Sequence, residues 1–161
     1  MSLVIRRARP GEAGLVLSFI RELAEYEKLT HEVEASEAMI AEALFGANPR
    51  LCCAITEWNA EAVGFAAWFV NFSTFSGRHG IYLEDLYVRP SHRGKGIGKA
   101  LLNHLAKECV DNGWSRLQWA VLDWNAPSIA FYKSLGAVMM DDWTLCRVTG
   151  DALTRLAGKA P

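Results

Sequence analysis

No stretch of this 161-residue chain is long and apolar enough to cross a bilayer as a helix. The longest apolar run, Ala62 to Val70 with its glycine counted, falls far short of the roughly 20 residues a span requires. The N-terminal residues Met1 to Arg7 show no cationic region followed by an apolar stretch, so no secretory signal is expected. Cysteine and histidine are sparse and scattered. Cys52, Cys53, Cys109 and Cys146 contain no CxxC pair, and His31, His79, His92 and His104 form no HExxH. A disulfide framework and a metal site are therefore not expected, and reduced thiols in a cytoplasmic protein are. An excess of one charge is also missing: 17 Lys+Arg against 18 Asp+Glu leave a formal net charge of -1. That balance argues against nucleic acid or an anionic membrane as the main partner, because both need a basic face. It leaves room for a local basic spot that holds a small anion.

What is present is ordinary globular material, 51% hydrophobic and 22% charged. Its length fits one domain over residues 1–161. Turn signals divide the chain into alternating elements. A strand over Val4–Ala8 stops at Pro10-Gly11, and Val16, Ile20, Leu23 and Ala24 recur at helical spacing between Glu12 and Lys28. Ser36 reads as the cap of a short second helix that Gly46 ends. Two strands, Leu51–Trp58 and Ala62–Asn71, flank a tight turn at Asn59-Ala60-Glu61. A polar loop over Phe72–Gly80 precedes a strand over Ile81–Val88. Then come a helix over Ile97–Asn112 closed by Gly113, a strand over Leu117–Leu122, and a helix opened by Pro127 and ended by Gly136. A last strand is expected near Trp143–Val148, and a short helix over Asp151–Leu156. The order βααβββαβαβ needs crossovers, so the expected fold is α/β: one mixed sheet, part parallel and part antiparallel, flanked by helices.

The chemistry concentrates where the Tyr82–Val88 strand runs through Pro90 into Arg93-Gly94-Lys95-Gly96-Ile97-Gly98-Lys99 and then a helix. Glycines at alternate positions leave main-chain N–H groups unshielded at a helix N-terminus, where unpaired donors and the helix dipole attract phosphate oxygens. Arg93, Lys95 and Lys99 add positive charge. The GxxxxGK[ST] of a nucleoside-triphosphate loop is absent, and the third glycine falls one place early for the GxGxxG dinucleotide fingerprint. A plain glycine-rich surface turn remains the bland alternative.

This loop resembles the R/Q-x-x-G-x-G/A pyrophosphate loop of the GNAT (GCN5-related) N-acetyltransferases. The stretch Asn125 to Ala137, with Phe131-Tyr132 and Gly136, resembles their second hallmark. Tyr26-Glu27, Tyr82 to Asp85, Trp124-Asn125 and the tail from Gly150 to Lys159 are similar to the diamine (spermidine/spermine) branch, and closer to the branch that acetylates thialysine. The resemblance covers nearly the whole chain. It implies the acyl-CoA N-acyltransferase fold with a mainly antiparallel sheet, acetyl-CoA as co-substrate, no metal, a small primary amine as acceptor, and a homodimer. A protein or peptide acetyltransferase and an idle acyl-CoA sensor are the alternatives.

The same resemblance implies the roles of individual residues. Glu84 is the base, directly or through a water, and Tyr132 the acid that protonates the departing thiolate. A phenol near pKa 10 can protonate a thiolate whose acid has a pKa near 8.5 with little penalty. Arg93, Gly94, Lys95, Gly96, Ile97, Gly98 and Lys99 hold the pyrophosphate. Leu86, Tyr87 and Val88 offer backbone to the pantetheine arm, and Asn125, Ala126, Pro127 and Ser128 line it. Tyr26, Glu27, Glu84, Asp85, Gln118, Trp119 and Ala120 are the amine-side candidates. Strand alternation sets Glu84 on the face of Leu86 and Val88, with Asp85 opposite. One departure bears on the substrate: the polyamine enzymes carry an acidic residue followed by Pro-Trp where this chain reads Ser73-Thr74-Phe75-Ser76. Losing a carboxylate weakens the case for a long polycation and favours an amino-acid-like amine.

Overall fold

The computed structural model describes residues 1–161, which fall into two compact units, Met1–Ala120 and Val121–Pro161. The first is built on a five-stranded sheet of β1 (Leu3–Arg7), β2 (Cys52–Trp58), β3 (Glu61–Ser73), β4 (Arg78–Val88) and β5 (Leu117–Gln118), in that spatial order. The first three pairings are antiparallel and the last is parallel, so the sheet is mixed and mainly antiparallel, as expected.

The β2–β3 turn consists of Asn59 and Ala60, both with positive φ, 51° and 68°. That backbone matches the right-handed twist of a two-residue hairpin. The loop expected over 72–80 shrinks to four residues between Ser73 and Arg78. Gly77, at φ 64°, donates back to the Ser73 carbonyl, so both flanking segments extend the hairpin.

Cross-strand partners share a face, and their rows show which helix covers which side. Cys53, Ile55, Phe65, Ala67 and Tyr87 form one buried cluster with Val16, Leu17, Phe19 and Leu23 of α1 (Ala13–Tyr26) and Ile40 and Leu44 of α2 (Glu37–Phe45). The Phe19 and Phe65 rings stack with centroids 5.5 Å apart. Such a contact is worth about 0.5–1.5 kcal/mol beyond the area it buries. Arg7, aligned in one row with Ala54, Ala66 and Leu86, faces the other way. It pairs with Glu108 of α3 (Ile97–Asp111) at 2.9 Å and lies 4.4 Å over the Trp68 ring. Local chemistry sets the helix ends. Ser36 Oγ accepts from the Met39 amide to start α2. Arg6 bridges Glu12, just before α1, to Glu57 of β2.

In the second unit, α4 (Ala126–Ser134) carries Pro127 in its first turn and is capped by Asn125, whose Oδ1 accepts from the Ser128 amide. It ends at Gly136, φ 90°, where the Ala137 amide donates to the Tyr132 carbonyl, as a left-handed helix terminus does. α5 covers Gly150–Leu156. Two strand expectations are corrected. The segment over Leu117–Leu122 pairs only through Leu117 and Gln118. Trp143–Val148 is no strand, because its own unit offers no second strand to complete a ladder.

A β-carbon on Gly64 would stand 2.5 Å from the Tyr87 carbonyl oxygen. Gly64→Ala is therefore expected to spread β3 from β4 and to cost about 1–3 kcal/mol of stability, measured by urea unfolding.

Candidate active site

The β3–β4 ladder breaks in one place. Ala66 pairs with Leu86 and Ala67 with Asp85, but the next β3 residue, Trp68, pairs with Leu83. Glu84 has no partner and forms a bulge. The extra residue resets the alternation. Leu83 shares the face of Trp68, on the α3 side, while Asp85 joins the row of Ala67 and Cys53 beneath α1 and α2. Counting on from Asp85, Leu86 and Val88 return to the α3 side and Tyr87 enters the α1 cluster. Counting from Leu83 turns Glu84 off the α3 side. Asp85 lies opposite Leu86 and Val88, as expected, but the assignment of Glu84 to their face is overturned, because alternation holds only along an unbroken ladder.

The environment separates the two carboxylates. Glu84 is exposed. Burial pushes the Asp85 carboxyl up to about 7, helped by the negative charges of Glu84 and of Glu27 at the C-terminal end of α1. Burial likewise raises the Glu27 carboxyl above its usual range. Asp85 makes no ion pair.

Beyond Val88 the chain turns through Pro90–His92 into the glycine-rich loop. Gly94 and Gly96 adopt φ of 75° and 79°, and no atom lies within 4 Å of where their β-carbons would be. Gly96 caps α3 without a side-chain acceptor. None of the amides from Gly94 through Lys99 donates to an acceptor in the chain. Left-handed backbone at two glycines followed by an uncapped helix start makes a concave run of donors, the geometry that receives phosphate.

The basic side chains of the loop are less free than their sequence suggested. Arg93 donates through Nε to the Val88 carbonyl at 2.8 Å. Its guanidinium lies over the rings of Tyr26 at 4.6 Å and Tyr87 at 5.5 Å, close enough for cation–π attraction. It ties the loop to β4 and to the end of α1. Lys95 sits 5.3 Å over the Trp58 ring. Arg89 was not singled out in the sequence; it grips Glu22 of α1 and the Ala62 carbonyl and anchors the start of the turn.

β5 meets β4 only at Ile81 and Tyr82, so the outer edge of β4 from Leu83 through Leu86, Tyr87 and Val88 carries no strand ladder. Gln118 ends β5, and Trp119 and Ala120 continue it as irregular chain. The first unit thus brings together Tyr26, Glu27, Glu84, Asp85, Leu86 to Val88 and the loop Arg93–Lys99. Within the second unit, Asn125 is buried as the α4 cap, Ala126, Pro127 and Ser128 form the first turn of that helix, and Tyr132 lies on the same helix. Residues that sequence reasoning missed, such as Cys53 and Ala67 beside Asp85, carry no local signal; only the register aligns them.

Comparisons with known proteins bear on the family and the fold. The sequence pattern of the Acetyltransferase (GNAT) family matches residues 17–137. A thialysine N-epsilon-acetyltransferase from Sus scrofa is 40% identical, over 98% of this chain and 99% of that protein. An L-ornithine N5-acetyltransferase from Arabidopsis thaliana is 30% identical, over 92% and 85%. Among solved structures, an integron cassette protein from the mobile metagenome of V. cholerae superposes with a TM-score of 0.80 at 31% identity, covering 98% of each chain.

Folding raises the Asp85 carboxyl from 3.8 to about 7, so the native chain holds a proton that the unfolded chain releases. This site therefore costs no stability at low pH, and the cost grows as pH rises from about 4 to about 7. Asp85→Asn is expected to stabilise the protein at pH 8, by at most about 4 kcal/mol, and to change little at pH 4, as read from thermal melts at the two values.

Proposed function

The chain belongs to the GNAT acetyltransferase family and is an N-acetyltransferase, and on that premise we propose that it moves the acetyl group of acetyl-CoA to the primary amine of a small, amino-acid-like substrate of the thialysine or ornithine type. The observation that carries this reading is the open run of amides from Gly94 to Lys99, one turn away from the carboxylates of β4. Those amides, with Lys95 and Lys99, hold the pyrophosphate, and the ladder-free edge at Leu86, Tyr87 and Val88 offers backbone groups to the pantetheine arm. Bound acetyl-CoA supplies an activated thioester.

An amine with a pKa near 10.4 must give up a proton before it can attack, at a cost of about 4.6 kcal/mol at pH 7. The carboxylates of β4 lower that cost. Glu84 is the acceptor that the family resemblance implies, directly or through a water. Tyr132 gives its phenolic proton to the departing thiolate, and Asn125 with the first turn of α4 lines the pantetheine arm. Tyr26, Glu27, Asp85, Gln118, Trp119 and Ala120 shape the amine side.

The acceptor's size follows from the charge available. The Ser73–Gly77 turn brings no carboxylate, which leaves Glu27, Glu84 and Asp85 as the acids that face a cation. Three acids suit a short amine with one or two positive charges. The thialysine and ornithine enzymes among the relatives support that choice. We take residues 1–161 as one catalytic domain, since the family pattern runs across the boundary at Ala120. Free thiols at Cys52, Cys53, Cys109 and Cys146 fit a reducing cytoplasm, and a homodimer is carried over from the resemblance.

Thiol release from acetyl-CoA across a panel of thialysine, ornithine, diamines, polyamines and lysine peptides tests the reading. Turnover highest with thialysine or ornithine is expected; no release with any amine up to pH 9 overturns it. Tyr132→Phe is expected to lower kcat by about 10²-fold or more while the acetyl-CoA Kd stays within about twofold, measured by calorimetry.

A further inference from the structure

We propose that the outer edge of β3 from Phe69 to Ser73 is where two copies of this chain meet, pairing antiparallel about a two-fold axis at Asn71. Resemblance alone gives a homodimer no place in the fold. This edge does, and the inference stands apart from the acetyl transfer proposed above.

β3 outruns its neighbour. β2 begins at Cys52, opposite Trp68, because the chain just before it is tied elsewhere: the amides of Arg50 and Leu51 both donate to the Ala43 carbonyl of α2. Phe69 to Ser73 therefore pair with β4 on one side and with no strand on the other. The Ser73 carbonyl accepts from Gly77 across the turn. Alternation then turns the backbone groups of Phe69, Asn71 and Ser73 towards β4 and those of Val70 and Phe72 outward. An edge of this kind is a template for another strand.

Its side chains do nothing to prevent pairing. Proteins commonly guard an edge with lysine, proline or a bulge. From Ala62 to Gly77 there is no charged residue and no proline, and both register shifts of β3 lie before Phe69. Phe69, Val70 and Phe72 are 37%, 43% and 52% exposed, and Phe75 at the tip of the hairpin is fully so. The strand rings are held in place: Phe69 stacks on Tyr82 at 5.2 Å, and Phe72 meets His79 edge-on at 4.9 Å.

Charge and symmetry select a second copy as the occupant. A two-fold contact sets a surface against itself, so like charges meet unless the patch is neutral; this one is neutral along its whole length. With Asn71 on the axis, Val70 of each copy lies opposite Phe72 of the other, and each such pair exchanges two backbone hydrogen bonds. β-branched and aromatic residues make a favourable cross-strand pair. A phenylalanine carries roughly 200 Å² of surface, so the exposed parts of Phe69, Val70, Phe72 and Phe75 amount to about 400 Å² per copy. The contact removes about 800 Å² from these side chains alone, and the ladder backbone brings it towards the roughly 1,200 Å² at which stable interfaces begin.

Analytical ultracentrifugation from about 1 to 100 µM tests this, with the unmodified chain, Val70→Lys, Phe72→Glu and an equimolar mixture of the two variants. The unmodified chain is expected to be a dimer. Each single variant is expected to raise the dimer Kd about 100-fold or more, since a charge then enters the ladder opposite an apolar side chain. In the mixture the new lysine of one chain faces the new glutamate of the other, so a dimer holding one of each is expected to re-form. If either variant loses its cooperative melt, the swapped pair Val70→Glu and Phe72→Lys is read in the same way. An unmodified chain that stays monomeric at the highest concentration leaves the edge to some other chain and overturns the proposal. Dimers that persist undiminished in either single variant, or a mixture that stays monomeric, overturn it too. Acetyl transfer is read separately, as thiol release, and stands or falls without this contact.

Discussion

The structure turns on a single interruption of a ladder. Between Ala67 and Trp68 on one strand and Leu83 and Asp85 on the other, one residue is left without a partner. That residue bends β4, resets which side chains face which helix, and so places the Asp85 carboxyl under a layer that is otherwise apolar. Beyond Tyr82, β4 also loses its ladder with β5. The amides of Gly94 to Lys99 continue the same condition past the turn. A sheet that satisfied every backbone group would have nothing to offer a ligand; this one leaves the outer edge of β4 beyond Tyr82 without a strand ladder and the amides of Gly94 to Lys99 without acceptors.

The rest of the first unit holds that stretch in place. The stacked pair Phe19 and Phe65, with Tyr87 tilted beside Phe19, fixes α1 on the sheet. Arg89 clamps Glu22 of α1 to the start of the turn, and Arg93 clamps the loop to Val88 and Tyr26. The two arginines bring the end of α1, with Tyr26, against the glycine-rich loop. Asp85 is the counterpart of this rigidity. A carboxyl raised to about 7 weakens the fold at neutral pH, a cost that the surrounding packing offsets.

Much of this was legible in the chain. Helical spacing located α1 through Val16, Ile20 and Leu23, Ser36 and Gly46 bracketed α2, and Asn59-Ala60 marked the hairpin, because these signals act over a few residues. Loop length misled at 72–80, where polar residues form hairpin rather than loop, since a solvated strand looks like a turn. The expected strand over Trp143–Val148 failed because apolar alternation describes a residue's neighbours but not whether a partner strand exists.

By itself the sequence determined which chemical groups each segment carries: alternate glycines ahead of a helix, adjacent carboxylates on a strand, and a tyrosine on the helix that follows Asn125, each set by short-range chemistry. Only the tertiary structure decided which carboxylate lies under α1. That choice depends on the pairing register of β4 with β3, and a bulge of one residue inverts every face beyond it without leaving a mark in local composition.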